Sequence, residues 1–355
     1  MNPINTPAAV LVDLGGPLQL CQLALPELRS GQVLVEIAYS GVCNSQLLEV
    51  RGKRGPDLFL PHTLGHEGSG VVLDVGPDVK KVKAQDRVVV SWIKGSGADV
   101  PSVAYDGPKG RVNSGAVSTF MRYTVTCENR LTPIVRDMPL WEAALLGCAI
   151  PTGAGIVLNT ACVRPGDTVA IFGIGGIGLS AVLASRLKNA SLVIAIDIVD
   201  EKLEQALALG ATHIVNARQK PPLDLIGELT NGIGVDYAIE AAGQSETMEM
   251  AFRSVRNGGG LCVLAGNLPA GESISLDPFD LIRGKRIVGT WGGETNMDRD
   301  VPLYVDLFMQ GKLKLEKMIT HSYPLAAIND ALKDLERGKV GRALIDMTTD
   351  APEND

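Results

Sequence analysis

Residues 168–178 read TVAIFGIGGIG, an apolar run that ends in a cluster of glycines. Gly173, Gly175 and Gly178 satisfy the spacing GxGxxG, with Gly176 and Ile177 completing the turn. The pattern alone is weak, because glycine clusters also make ordinary turns. Its setting strengthens it: a strand-like run precedes it, and the LSAVLASRL that follows has the apolar spacing of a helix. In such a strand–turn–helix unit the first glycine permits a tight turn. The second removes the side chain that would stand under a pyrophosphate, and the third lets helix and strand pack closely. The helix N-terminus then offers free N–H groups and partial positive charge to phosphates.

Working outward, LVIAID (192–197) is a second strand ending at Asp197, 19 residues after Gly178. An acid there accepts hydrogen bonds from an adenosine ribose diol. Ile198 and Val199 offer no cation for a 2′-phosphate, so NAD is expected rather than NADP. The plainer reading of Asp197 is a helix cap. EKLEQALALG is helical and closed by Gly210, and HIVNA is a third strand. GVDYAIEAAG and GGLCVLAG are strands around a helix containing ETMEMAFRSV, and RIVGTW is a last strand. Alternation of this kind predicts a doubly wound parallel (Rossmann) sheet, an α/β fold.

The first 130 residues differ. GQVLVEIAYSGV and GSGVVLDVGPDVKKVKAQDRVVVSW are valine-rich alternating runs broken by glycine turns, which predicts β structure. Residues 95–117 read as an irregular insertion, longer than ordinary connections and therefore functional or mobile. Near the C-terminus LAAINDALKDLERG is helical and RALIDM extended. The expected organisation is a β-rich domain in two parts, 1–153 and 294–355, with a dinucleotide-binding domain at 154–293 inserted between them.

The balance of 33 basic and 40 acidic residues, net −7, without a basic stripe, argues against nucleic acid as partner. With 45% hydrophobic and 21% charged residues the composition is that of a soluble globular protein. MNPINTPAAV lacks the basic start and apolar core of a secretory signal. The apolar windows at 143–163 and 169–185 are interrupted by Pro151, Thr152, Asn159 and glycines, or fall short of the ~20 residues a span needs. A cytoplasmic protein is expected, with no membrane association. The six cysteines (21, 43, 127, 148, 162 and 262) contain no CxxC pair, which fits reduced thiols, one or two of them ligands.

Four histidines are present, at 62, 66, 213 and 321. His66 lies in LGHEGSG, beside Glu67. Cys43, His66 and Cys148 would make the Cys₂His set of a catalytic zinc, three protein ligands and one open position. Free cysteines are more often small buried hydrophobes, and spacing alone favours that plainer reading over zinc. His62 and His321 read as structural and His213 as a turn residue.

In this order and spacing, GVCNS, LGHEGSG, QDRVVVSW, LLGCAIPTGAG, VAIFGIGGIG, VIAID and GKVGRALI resemble the zinc-dependent alcohol dehydrogenases of the medium-chain dehydrogenase/reductase superfamily over nearly the whole chain. The resemblance implies a GroES-like β-rich catalytic domain around the Rossmann domain, and a reversible hydride transfer between NAD and an alcohol/carbonyl pair. It implies Cys43, His66 and Cys148 as catalytic zinc ligands, with Glu67 an alternate ligand. Ser45 matches the hydroxyl that receives the alcohol proton. Thr152 matches a residue beside the nicotinamide, Trp92 a wall of the substrate pocket, and Arg342 a cofactor phosphate contact. A homodimer or homotetramer formed through the Rossmann sheet edge is implied too.

The sequence departs from this family in three places. Many members bind a second, structural zinc through four cysteines in the loop after the DRV strand. Here WIKGSGADVPSVAYDGPKGRVNSG contains none, so only the catalytic zinc is expected. Asn44 replaces a basic residue on the pyrophosphate. Gln46 replaces an acid, and Leu48 occupies the neighbourhood where some members place a relay histidine. Metal-free reductases and non-catalytic NAD-binding proteins of the same fold are the competing readings; the retained Cys/His/Cys trio and Asp197 speak against the first of them.

Overall fold

The computed structural model describes residues 5–349. The chain divides into two compact units. One comprises the chain up to Cys148, Asn296–Gly311 and the segment from Ile319; the other comprises Ala149–Thr295 and Lys312–Met318.

The second unit is built on six parallel strands. Across the sheet they run His213–Asn216, Leu192–Asp197, Thr168–Phe172, Tyr237–Glu240, Leu261–Leu264 and Arg286–Gly289. In chain order this is 3-2-1-4-5-6, the doubly wound arrangement whose ligand crevice opens where the order reverses, between the first and fourth strands. Val169, Ala170, Ile171, Val193, Ile194 and Ala195 are wholly buried. Helices cover both sheet faces, so the central strands are continuously apolar rather than alternating. The helix Asp200–Leu209 ends at Gly210, whose φ of 114° is the left-handed cap that glycine adopts without steric cost. His213 opens a strand rather than a turn.

The first unit holds a closed five-stranded barrel: Asn5–Leu11, Gln19–Ala24, Ala104–Gly107, Gly110–Asn113 and His62–Thr63. Beside it is a sheet ordered Leu131–Pro133, Arg87–Ser91, Glu67–Val75, Gln32–Val42, Ala343–Asp346 and His321–Pro324, with Tyr123–Cys127 also pairing with Gln32–Val42. Val33, Val35, Val72, Val88 and Val90 join Ile328, Ala331 and Ile345 in its core. Among the described residues no single helix is long and apolar enough to cross a membrane.

The stretch 95–117 is not the irregular insertion its composition suggests. It contains an antiparallel hairpin, Ala104–Gly107 with Gly110–Asn113, which completes the barrel. Buried Glu128 ties down the segment before that hairpin. It accepts N–H groups from Lys80 at 2.5 Å and Ala98 at 2.8 Å, and from Lys81 as well. Asp298 adds a bond from Ser96 N (2.6 Å) and an ion pair with Lys81 (2.5 Å). Burial opposes ionisation of Glu128, but the N–H donors and the Lys81 charge outweigh it and hold its carboxyl below the usual range. That contribution to stability is present above the unfolded-state value of about 4.3 and is lost as pH falls through the folded value. Glu128→Ala is expected to cost about 3 kcal/mol in urea unfolding at neutral pH and to speed amide exchange at 96–103. A loss below about 0.5 kcal/mol, as at an ordinary surface position, contradicts the assignment.

Candidate functional site

Sheet register assembles the first cluster. Gln32–Val42 lies between Glu67–Val75 and Ala343–Asp346, with Ser40 opposite Gly68 and Val42 opposite Ala343. Residues just past these pairings therefore converge. Cys43 follows one strand, His66 precedes its antiparallel neighbour, and Arg342 precedes the strand on the other side. Cys148 arrives from the 3₁₀ turn Ala144–Gly147, whose Gly147 carbonyl accepts the Ser91 hydroxyl at 2.6 Å. A Cβ on Gly147 would stand 2.8 Å from Cβ of Glu67, so only glycine lets this turn approach so closely.

Cys43 Sγ, Cys148 Sγ and a His66 ring nitrogen lie within 4.8 Å of one another. Cys148 is buried, and Cys43 and His66 are partly so. The neighbouring Cys148, with His66 and the Arg342 guanidinium, holds the Cys43 thiol well below the usual thiol range despite burial. Two thiols and an imidazole, one thiol already inclined to ionise, are the donor set that suits a tetrahedral zinc with one open position. Cys43 is the N-cap of the helix Asn44–Val50. Gln46, at its third position, accepts the Cys43 N–H through Oε1 at 2.8 Å and places Nε2 2.8 Å from His66 Nδ1. That leaves His66 Nε2 as the nitrogen open to a metal. Ser45 Oγ donates to Cys43 Sγ at 3.4 Å. Asn44 is exposed and Leu48 buried. Trp92, half-buried, donates its backbone N–H to the His66 carbonyl at 3.0 Å.

A second metal-capable group, Glu49, Asp57 and His62, meets its own needs. His62 Nε2 is 2.8 Å from Asp57, its Nδ1 is 3.0 Å from the Thr63 carbonyl, and Arg54 stands 3.6 Å from Glu49.

Beneath the thiols, Glu67 (0% exposed) pairs with Arg342 (4%), whose Nη1 also donates to the Val42 carbonyl at 3.1 Å. Gly41 separates them in the sheet: a Cβ there would lie 2.5 Å from Glu67 Oε1 and 2.8 Å from Arg342 Nη2. The pair was invisible to sequence reasoning, which took the two residues singly; the one available signal was a glycine inside a valine-rich strand.

In the second unit the dinucleotide turn divides its glycines by role. Gly173 has φ 90°, and a Cβ there would meet Ala242 N at 2.5 Å. A Cβ on Gly178 would meet the Gly173 carbonyl at 2.0 Å. Gly175 faces nothing within 4 Å, so its missing side chain leaves room for something else. Gly176 and Ile177 open the helix Gly176–Leu187. Asp197 Oδ2 accepts Ile174 N at 2.7 Å, and Oδ1 accepts Ile198 N and Val199 N at 2.7 and 3.1 Å. It braces the turn. Thr152 is buried, and its hydroxyl has no hydrogen-bond partner among the described residues. Sequence reasoning also missed Glu240, a buried acid closing the strand YAIE, which accepts Ala242 N, Gly243 N and Thr247 Oγ1 at 2.7–2.9 Å. Burial pushes its carboxyl up despite these donors.

Arg342→Met is expected to strand the Glu67 carboxylate and cost about 3–5 kcal/mol in the metal-free protein. Combined with Glu67→Gln, much of that loss returns. Denaturant unfolding of both variants checks this; a double variant no more stable than the single one contradicts the pairing.

Two family models match the chain: "Alcohol dehydrogenase GroES-like domain" over residues 29–136 and "Zinc-binding dehydrogenase" over residues 176–310. An S-(hydroxymethyl)glutathione dehydrogenase of Synechocystis sp. is 35% identical over 95% of this chain and 98% of its own. A class-3 alcohol dehydrogenase of Myxine glutinosa is 33% identical over 97% and 98%. Among solved structures, the benzyl alcohol dehydrogenase of Acinetobacter calcoaceticus superposes with a TM-score of 0.88 at 30% identity, covering 97% of this chain and 99% of its own. An alcohol dehydrogenase zinc-binding domain protein of Burkholderia ambifaria gives 0.90 at 31%, with the same coverage. With the parallel Rossmann sheet, the β-rich unit and the Cys/His/Cys cluster already in place, these matches make the chain a member of the zinc-type alcohol dehydrogenases of the medium-chain dehydrogenase/reductase superfamily.

Proposed function

We propose that this member transfers a hydride reversibly between NAD and a small alcohol/carbonyl pair, with one catalytic zinc and no structural zinc. The carrying observation is the Cys43–His66–Cys148 cluster, its first thiol held below the ordinary range, in a chain that also carries a glycine turn with open space above Gly175. Zinc, when bound, supplies a Lewis acid for the alcohol oxygen, and NAD supplies the hydride acceptor. The residues do the rest. Cys43, His66 and Cys148 hold the metal and leave one position open. Ser45 Oγ, already bonded to the Cys43 sulfur, takes the alcohol proton. Because Leu48 is apolar, that proton leaves Ser45 Oγ through water or the cofactor ribose. Trp92 walls the alcohol's apolar part, and Thr152 Oγ1 faces the nicotinamide. The Gly173–Gly178 turn receives the pyrophosphate and Asp197 the ribose diol. Arg342 as phosphate contact and Glu67 as alternate ligand each give up part of their ion pair to serve.

The division 1–153, 154–293 and 294–355 into catalytic, NAD-binding and returning catalytic segments goes with this reading. So does a cytoplasmic homodimer or homotetramer. Among the described residues the edge strand Arg286–Gly289 has one neighbour only, and Trp291 just beyond it is 78% exposed, which supports pairing through that edge.

Cys43→Ser and His66→Ala are expected to abolish NAD-coupled oxidation across a panel of primary, secondary and aromatic alcohols and to lower zinc content. NAD affinity should change less than about twofold, because the two sites are separate chemistry. Full turnover in a zinc-free variant would sink the proposal.

The two kinds of glycine give a second test. Gly175→Ala is expected to keep its melting temperature and lose about tenfold or more in NAD affinity, the added methyl occupying the phosphate's place. Gly173→Ala is expected to lose about 1–3 kcal/mol of stability before any ligand is added. NAD titration and thermal melts separate the two, and equal behaviour contradicts the division of roles.

A further inference from the structure

Gln46 makes two hydrogen bonds whose directions conflict with a metal on His66. Its Oε1 accepts the Cys43 N–H at 2.8 Å, the backward half of a capping box on the helix Asn44–Val50. An amide that gives its oxygen to Cys43 has only its NH₂ left for His66, so Nε2 donates to Nδ1 across 2.8 Å. Nδ1 is then the acceptor, and the ring proton of neutral His66 belongs on Nε2, the nitrogen open to the metal. An imidazole that ligates through Nε2 carries its proton on Nδ1 and needs an acceptor there. With metal bound, Gln46 therefore faces two donors, Cys43 N–H and His66 Nδ1–H, and its single oxygen is directed at one of them.

We infer that Gln46 is a positioning residue that sets metal affinity: loading the site forces its amide to rotate toward His66 and to abandon the Cys43 N–H. A carboxylate at position 46 escapes the conflict, since one oxygen serves Cys43 and the other His66, and glutamate fits the third position of a capping box as well as glutamine does. The inference rests on the catalytic-zinc reading above.

The test is Gln46→Glu against the unaltered protein, both stripped of metal and titrated with zinc against a chromophoric chelator at one fixed pH. Gln46→Glu is expected to bind zinc about 10–100-fold more tightly, a gain that a merely structural residue does not confer on substitution. Zinc bound by both with affinities within about twofold overturns the inference and leaves the zinc reading standing. Failure of both proteins to take up zinc overturns the zinc reading, and the inference falls with it. Nitrogen-15 NMR of His66 in the unaltered protein gives an answer even where the variant folds poorly. The proton is expected on Nε2 without metal and on Nδ1 with zinc, and a proton on Nδ1 in both states overturns the inference.

Discussion

A carboxylate and a guanidinium, both almost fully removed from water, face each other across a glycine in the middle of a sheet. Glu67 opens one strand and Arg342 stands just before another, and the strand carrying Gly41 runs between those two. They meet because Gly41 brings no side chain, and any Cβ there would enter the space of both charged groups. The desolvation cost of such a pair is large, and it is offset only when geometry and partners are fixed. Fixing them fixes the register on either side of Gln32–Val42. Register in turn decides where that strand ends and where the next begins, so Cys43 and His66 come together as a consequence of the same alignment. The thiol chemistry above the pair inherits its geometry from the charge pairing below.

Carboxylates do the corresponding work elsewhere in each unit. Glu128 gathers N–H groups from Lys80, Lys81 and Ala98; Asp197 gathers them from Ile174, Ile198 and Val199; Glu240 from Ala242 and Gly243. In each case a short irregular segment has donors that no ladder satisfies, and one acid with two oxygens satisfies several at once. The loop after the Arg87–Ser91 strand shows the principle best. There, with no cysteine available, the chain gathers its hydrogen bonds on Glu128 and Asp298.

These arrangements explain what could be read in the sequence and what could not. TVAIF with the glycines after it, and LVIAI, announce parallel strands and one turn, because strands buried on both faces are uniformly apolar and that turn demands glycine locally. Cys43, His66 and Cys148 are distant in the chain, and spacing could not distinguish ligands from buried thiols; strand pairing brings the first two together, and the turn Ala144–Gly147 brings the third. The hairpin at 104–113 escaped notice because its strands are four residues each and its turn, DGPKG, has loop composition. Gln46 was legible as a departure, but its consequence was not. That required knowing that one amide touches both a helix cap and a ligand's far nitrogen.

The charges around the thiols suggest why such a compromise can persist. On the proposed reading two thiolates would balance a divalent cation, and Glu67 balances Arg342, so with a neutral amide at position 46 the loaded cluster would carry no net charge. A carboxylate in that place would add one negative charge within hydrogen-bond reach of His66. It would hold a cation more firmly and, by the same Coulomb term, would oppose the negative charge that the proposed proton transfer to Ser45 leaves on an alcohol oxygen. Affinity for the metal and stabilisation of that oxygen pull in opposite directions at this position. Gln46 lies on the side of the oxygen, and the firmness it forgoes falls to the buried scaffold of Gly41, Glu67 and Arg342, which holds the ligands in place without adding charge.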